Sequence, residues 1–182
     1  MKSRLIKAYF DQLESQRKDF FQYVTNAIDN PWHRPQPEKW SAAETVFHVM
    51  LLARLLRKVS VFYLPIMRPY AQFRKTRPYL KEARNIYKEY QESENRPMKA
   101  PFVLVPPANL DDKYSMKEIQ ALLSNETEKL YKQLADIEEP VAGQIRYPDP
   151  VADYPNVMQS IHLLAIHENH HFDLTKKYYE KQ

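Results

Sequence analysis

The chain contains no cysteine, and a single glycine, Gly143, among its 182 residues. Without cysteine there is no disulfide, no thiolate metal ligand and no protein thiol to act as a nucleophile. A bound metal would have to use histidine, carboxylate and water. One glycine argues against Gly-rich phosphate loops and against a turn-rich β protein. Long apolar runs are also missing. The N-terminal MKSRLIKAYF lacks the apolar stretch of a signal peptide, and nothing later is long enough to span a membrane. No membrane partner is expected, and a cytoplasmic location is the default. Dense basic runs are absent as well. The net charge of +4 is spread along the chain, as solvated helix faces would spread it, so no nucleic-acid partner is expected.

What remains is ordinary for a globular protein: 43% hydrophobic and 27% charged residues. The length suits one domain, residues 1–182, with one sizeable core. Apolar residues recur at helical spacing. Residues 3–30 read as a first helix, with Leu5, Tyr9, Leu13, Phe20, Val24 and Ala27 on one side. Asn30-Pro31 ends it, because the proline ring disfavours a helical residue before it. A Pro-rich link follows, anchored by Trp32 and Trp40. Ser41 and Glu44 spell a capping box that opens a second helix. In that helix His48 shares a face with Leu52, Leu55 and Val59, Arg54 and Arg57 point elsewhere, and Pro65 and Pro69 are expected to end it.

Residues 67–113 hold six prolines and read as a long crossover, with one short helix expected near 79–92 and an extended apolar stretch at 100–107. A crossover this long in a compact domain either walls a functional pocket or only spans the length of the bundle. Ser115 and Glu118 form another capping box. The helix after it, to about residue 137, carries Ile119, Leu122, Leu123, Leu130 and Leu134 on its apolar face. Glu126, Glu128, Lys129 and Lys132 are expected largely outside. A last helix runs from an Asn156 N-cap to about residue 179. The expected architecture is all-α: a four-helix bundle with a long crossover between helices two and three.

Four of the six histidines crowd into one apolar run, Ile161-His162-Leu163-Leu164-Ala165-Ile166-His167-Glu168-Asn169-His170-His171. His167 and His171 are one helical turn apart on the same face, so both imidazoles can reach one ion. His48 lies on another apolar stripe. Three imidazoles aimed into one core are costly to bury without a partner, and a shared metal supplies one. Three protein ligands leave positions open for water or substrate, as in catalytic metal sites. His33 is expected at the surface and His162 outside the site. His170 flanks the site as a supporting or a packed residue. Glu44 is either the helix cap or a group that holds a ligand imidazole or accepts a proton. Glu168 is either a general base or bonded elsewhere. The letters His167-Glu168-x-x-His171 also spell the zinc-protease signature. Only eleven residues follow, too few for that class's downstream third ligand and its supporting fold.

The stretch Trp40-Ser41-Ala42-Ala43-Glu44-Thr45-Val46-Phe47-His48 resembles the second-helix motif of the DinB-like superfamily of metal-binding four-helix bundles. Ile166-His167-Glu168-Asn169-His170-His171 resembles its fourth-helix motif. The helix order and the crossover agree, so the resemblance covers nearly the whole chain. It implies a DinB/YfiT-like topology, metal ligands at His48, His167 and His171, zinc or nickel as the metal, and a homodimer. Members of the family are similar to DNA-damage-inducible proteins, to YfiT-like proteins assigned as metal-dependent hydrolases, and to bacillithiol- or mycothiol-dependent transferases and isomerases. The implied function is a metal-dependent S-transferase or hydrolase acting on a small-molecule substrate, with Glu44, Glu168 and His170 as candidate catalytic groups. A low-molecular-weight thiol cosubstrate would supply the sulfur that the chain lacks. The alternative is a non-catalytic metal-binding bundle with a stress-associated or interaction role. One departure stands out. The family often has a glutamine three residues after the last histidine, where this chain has Leu174. Family breadth fixes the scaffold better than the reaction.

Overall fold

The computed structural model describes residues 1–85 and 101–181. Within them the chain is helical: α1 (Arg4–Ala27), α2 (Ala42–Arg74), α3 (Met116–Leu134), the short α4 (Glu139–Ala142) and α5 (Val157–Tyr179). One 3-10 turn, Phe102–Leu104, sits in the crossover. The only β pairing among the described residues is an isolated bridge between Arg146 and Asn156. No described helix is long and apolar enough to cross a membrane.

Four long helices form because each starts on a side-chain cap. The Ser3 hydroxyl accepts from the Ile6 amide at the head of α1. Ser41–Glu44, Ser115–Glu118 and Asn156–Gln159 form reciprocal capping boxes at α2, α3 and α5. Each box satisfies two amides that a helix start would otherwise leave unpaired. Helix α2 packs along α3, α1 packs along α5, and α2 also meets α5. The enclosed core draws Ile6, Leu13 and Phe20 from α1, Val49, Met50 and Ala53 from α2, Leu123 and Leu130 from α3, and Met158, Ile161 and Phe172 from α5. The rings of Phe20 and Phe172 stack at 4.1 Å and fix α1 against α5.

Helix α2 does not stop at its prolines. It runs through Pro65 and Pro69 to Arg74, 33 residues in all. Both prolines lie on its exposed side, where water can reach the carbonyls left without an N–H donor. Two other departures concern the faces of helices. Leu55, expected inside with His48, is 41% exposed, so the His48 stripe emerges onto the surface further along α2. Glu126, expected outside, is buried. It is held by Arg54 Nε at 3.1 Å and Arg57 Nε at 2.5 Å, which ties α2 to α3. Ala27 is exposed rather than on the buried face of α1.

Residues 79–85 are not helical; the rest of the short helix expected at 79–92 lies outside the described residues. Instead this stretch is a strap held by side chains. Gln144 Nε2 donates to the Arg77 carbonyl, Asn156 Nδ2 to Leu80, the Tyr9 hydroxyl to Lys81 and Gln159 Nε2 to Glu82. The Ala83 amide donates to His162 Nδ1 at 3.1 Å. A backbone whose polar groups are taken by partners this scattered has no use for the regular bonds of a helix.

Candidate metal centre

His48 projects from α2, and His167 and His171 from α5. Their ring centroids lie 4.9 Å (His48–His167), 4.5 Å (His48–His171) and 4.5 Å (His167–His171) apart. One nitrogen of each falls within 4.8 Å of the others, close enough for one ion to be held by all three. His48 and His167 are buried, and His171 is half-buried. Trp40 covers the group, with its ring 4.5 Å from His48 and 5.9 Å from His171. The Pro-rich link is thereby anchored on the site itself.

The crossover orients the first imidazole. His48 Nδ1 lies 2.7 Å from the Leu104 carbonyl. A carbonyl can only accept, so Nδ1 carries the proton, and in the neutral ring Nε2 keeps its lone pair. That Nε2 points at His167 Nε2, 3.0 Å away. A backbone carbonyl bonded to the far nitrogen is the usual orienting partner of a metal-binding imidazole. Burial keeps all three rings neutral. It pushes His167 well below the ordinary histidine value, helped by the neighbouring His171 and His48. It holds His171 down at about 2, again with His48 adding to the effect. Burial also lowers His48, against the pull of the Leu104 carbonyl. Neutral imidazoles with converging lone pairs are the form that binds a metal. The donor set fits a divalent transition metal.

The remaining candidates fall around this group. His170 is half-buried with its ring 5.4 Å from His171. Glu44 is the capping residue: its carboxylate accepts from the Ser41 amide at 2.8 Å and is clamped by Arg34. Glu168 is 0% exposed. Both of its oxygens are taken by Arg17 of α1, at 2.7 Å from Nε and 2.5 Å from Nη2. Burial pushes its carboxyl up, and the guanidinium opposes this. His33 is exposed; its carbonyl accepts from the Tyr179 hydroxyl and its amide donates to the Asn30 carbonyl. His162 stacks on Tyr9 at 4.5 Å.

Two participants escaped the sequence reading. Arg17 sits among the apolar positions of α1 and reads as surface charge, although it reaches across to Glu168 and, through Nη1, to Thr127 at 2.9 Å. A charged residue within an otherwise apolar face was the available signal. The Leu104 carbonyl has no sequence signal at all. No curated protein and no solved structure matches the chain significantly. The model of one family does, over residues 12–174. With its helices in the bundle order, and three imidazoles from α2 and α5 gathered at one point, the chain belongs to the DinB superfamily.

Proposed function

We propose that the protein is a metal-dependent enzyme in which His48, His167 and His171 hold one divalent ion, zinc or nickel, and a small-molecule substrate reacts at the ion's open side. The reading rests on one observation: three neutral imidazoles converge, and the Leu104 carbonyl sets the tautomer of His48. When bound, such an ion acidifies a coordinated water or thiol and polarises a substrate. The reaction class favoured is S-transfer from a low-molecular-weight thiol, or hydrolysis. The absence of cysteine means that any sulfur nucleophile arrives as a cosubstrate. The half-buried side of His171 is the approach for it, with His170 beside that approach as the candidate proton carrier.

The chain's own residues divide the work. Trp40 and the crossover cover the imidazoles and limit water. Arg17 and Arg34 engage the carboxylates of Glu168 and Glu44. A proton-transfer role for either carboxylate would require its arginine to release it. This engagement favours a second reading, in which the metal only stabilises the bundle. Thiol consumption with electrophilic substrates separates the two. Loss of turnover in His171→Ala, with the fold kept, supports the enzyme. Equal consumption by wild type and variant rejects it.

A further inference from the structure

Two threonines beside the three imidazoles depart from the habit of the other hydroxyls in the chain. Thr25 and Thr127, the other helical threonines among the described residues, each donate to the carbonyl four positions back, at 2.9 Å. The buried helical serines Ser60 and Ser160 do the same. Such back-bonding is where a hydroxyl inside a helix ordinarily places its hydrogen. Thr45 and Thr175 turn to each other instead, Oγ1 to Oγ1 at 3.1 Å. They are 2 and 4% exposed. Two hydroxyls carry two hydrogens, and the bond between them uses one. Among the described residues neither hydroxyl has a further partner. One buried hydrogen is therefore left to donate, and a buried donor is costly to leave unused.

The pair lies one helical turn from the imidazoles on both of its helices. Thr45 precedes His48 by three residues on α2, and Thr175 follows His171 by four on α5, so each shares the face of its histidine. Ala42 meets Tyr179, Thr45 meets Thr175, and His48 meets His171 and His167, which is the order of antiparallel helices. Helical side chains lean toward the N-terminus of their own helix. Thr175 thus leans over the turn that carries His171, while Thr45 leans the other way, toward Ser41. We infer that Thr175 is a further ligand-contacting residue of the proposed metal site: Thr45 donates to Thr175, and Thr175 donates to an anionic atom of whatever the ion holds at its open side. The inference rests on the metal-dependent reading above and adds to it a chemical class, an anion. The reverse order of donors would aim the spare hydrogen of Thr45 back toward Ser41, away from the imidazoles. An anion beside Thr175 selects the first order, because each donor in such a chain polarises the next. Thr45 is then a positioning residue. It occupies the acceptor side of Thr175 and turns that hydroxyl away from the His171 carbonyl four residues back.

The test loads the full chain with cobalt(II) and uses azide as the anionic probe. The change in the visible cobalt spectrum gives the azide dissociation constant. Thr175→Val keeps the shape of the side chain and removes the donor. It should take up cobalt as wild type does and bind azide about 10- to 100-fold more weakly, the worth of a hydrogen bond to a charged acceptor. Thr175→Ser restores a hydroxyl and should recover most of the affinity. Thr45→Val should fall between wild type and Thr175→Val, because Thr175 is then free to turn back to the His171 carbonyl. It also serves as the test if Thr175→Val does not fold. A pair that only ties α2 to α5 predicts a lower Tm in the valine variants with an unchanged azide constant. That result would overturn the inference and leave the metal site standing, as would a wild type that binds cobalt but not azide. A wild type that takes up no cobalt would overturn the inference together with the metal-dependent reading.

Discussion

His48 Nε2 and His167 Nε2 lie 3.0 Å apart although 119 positions separate them in the chain. The Leu104 carbonyl holds the proton of His48 on the other ring nitrogen, so the nitrogen facing His167 offers a lone pair. Metal uptake should follow from this. Protein purified without a histidine tag is expected to carry about one divalent ion per chain, and His48→Ala is expected to lose it. Elemental analysis measures both. Metal at 100 times its dissociation constant adds ~2.7 kcal/mol to stability. Chelation should therefore lower the wild-type Tm and leave that of His48→Ala unchanged.

Arg17 and Glu168 form the second relationship to test, because both are almost wholly buried. Arg17→Met leaves a carboxylate in the core with no cation beside it. The expected cost is about 3–5 kcal/mol, the usual result of breaking a buried pair from one side. The double variant Arg17→Met/Glu168→Leu removes both charges and should recover most of that loss. Urea denaturation of the single and double variants measures the difference. A single variant as stable as wild type would mean that Glu168 takes up a proton and does without Arg17.

The strap at residues 77–83 supplies a pH-dependent prediction. The Ala83 amide donates to His162 Nδ1, which therefore must be unprotonated in the fold. Burial lowers the His162 pKa from its ordinary 6.5, against the pull of Glu82. Below 6.5 the unfolded chain takes up this proton more readily than the folded one. The stabilisation is thus complete above 6.5 and is lost as pH falls toward the folded value. His162→Phe keeps the stacking on Tyr9 and removes the acceptor. It should cost about 1 kcal/mol near pH 7.5, the worth of one hydrogen bond. That gap should narrow near pH 5. A difference measurement cancels the contribution of the other histidines.

Legibility in the sequence followed how local each signal is. Ser41–Glu44, Ser115–Glu118 and Asn156 are short-range caps, so the helix starts could be read directly. His167 and His171 announced themselves by their one-turn spacing, and His48 by its place in an apolar stripe. What failed depends on the far side of the fold. Pro65 and Pro69 read as a stop, but an exposed helix face tolerates them, and exposure is a tertiary property. Glu126 reads as surface until Arg54 and Arg57 are brought to it. Arg17 and Glu168 are 151 positions apart, and no pattern on either helix names the other. The strap is held by side chains of α1, α5 and the loop after α4, none of which it resembles or adjoins in sequence.

The single glycine of the chain has a packing reason. Gly143 follows α4 with φ −66°, a conformation open to any residue, so conformational freedom does not explain it. The ring of Tyr79, from the strap, lies directly over its Cα, and a Cβ there would overlap the ring atoms nearest the Tyr79 backbone. Those atoms cannot swing aside as the far end of a flexible side chain can. Gly143→Ala is therefore expected to displace Tyr79 and cost roughly 1–3 kcal/mol, the usual penalty for overpacking. Tyr79→Ala in the same chain should relieve the clash, so the two substitutions together should cost less than the sum of their separate effects. Thermal denaturation of the four proteins in that cycle measures the coupling, and strict additivity would show that the strap does not rest on Gly143.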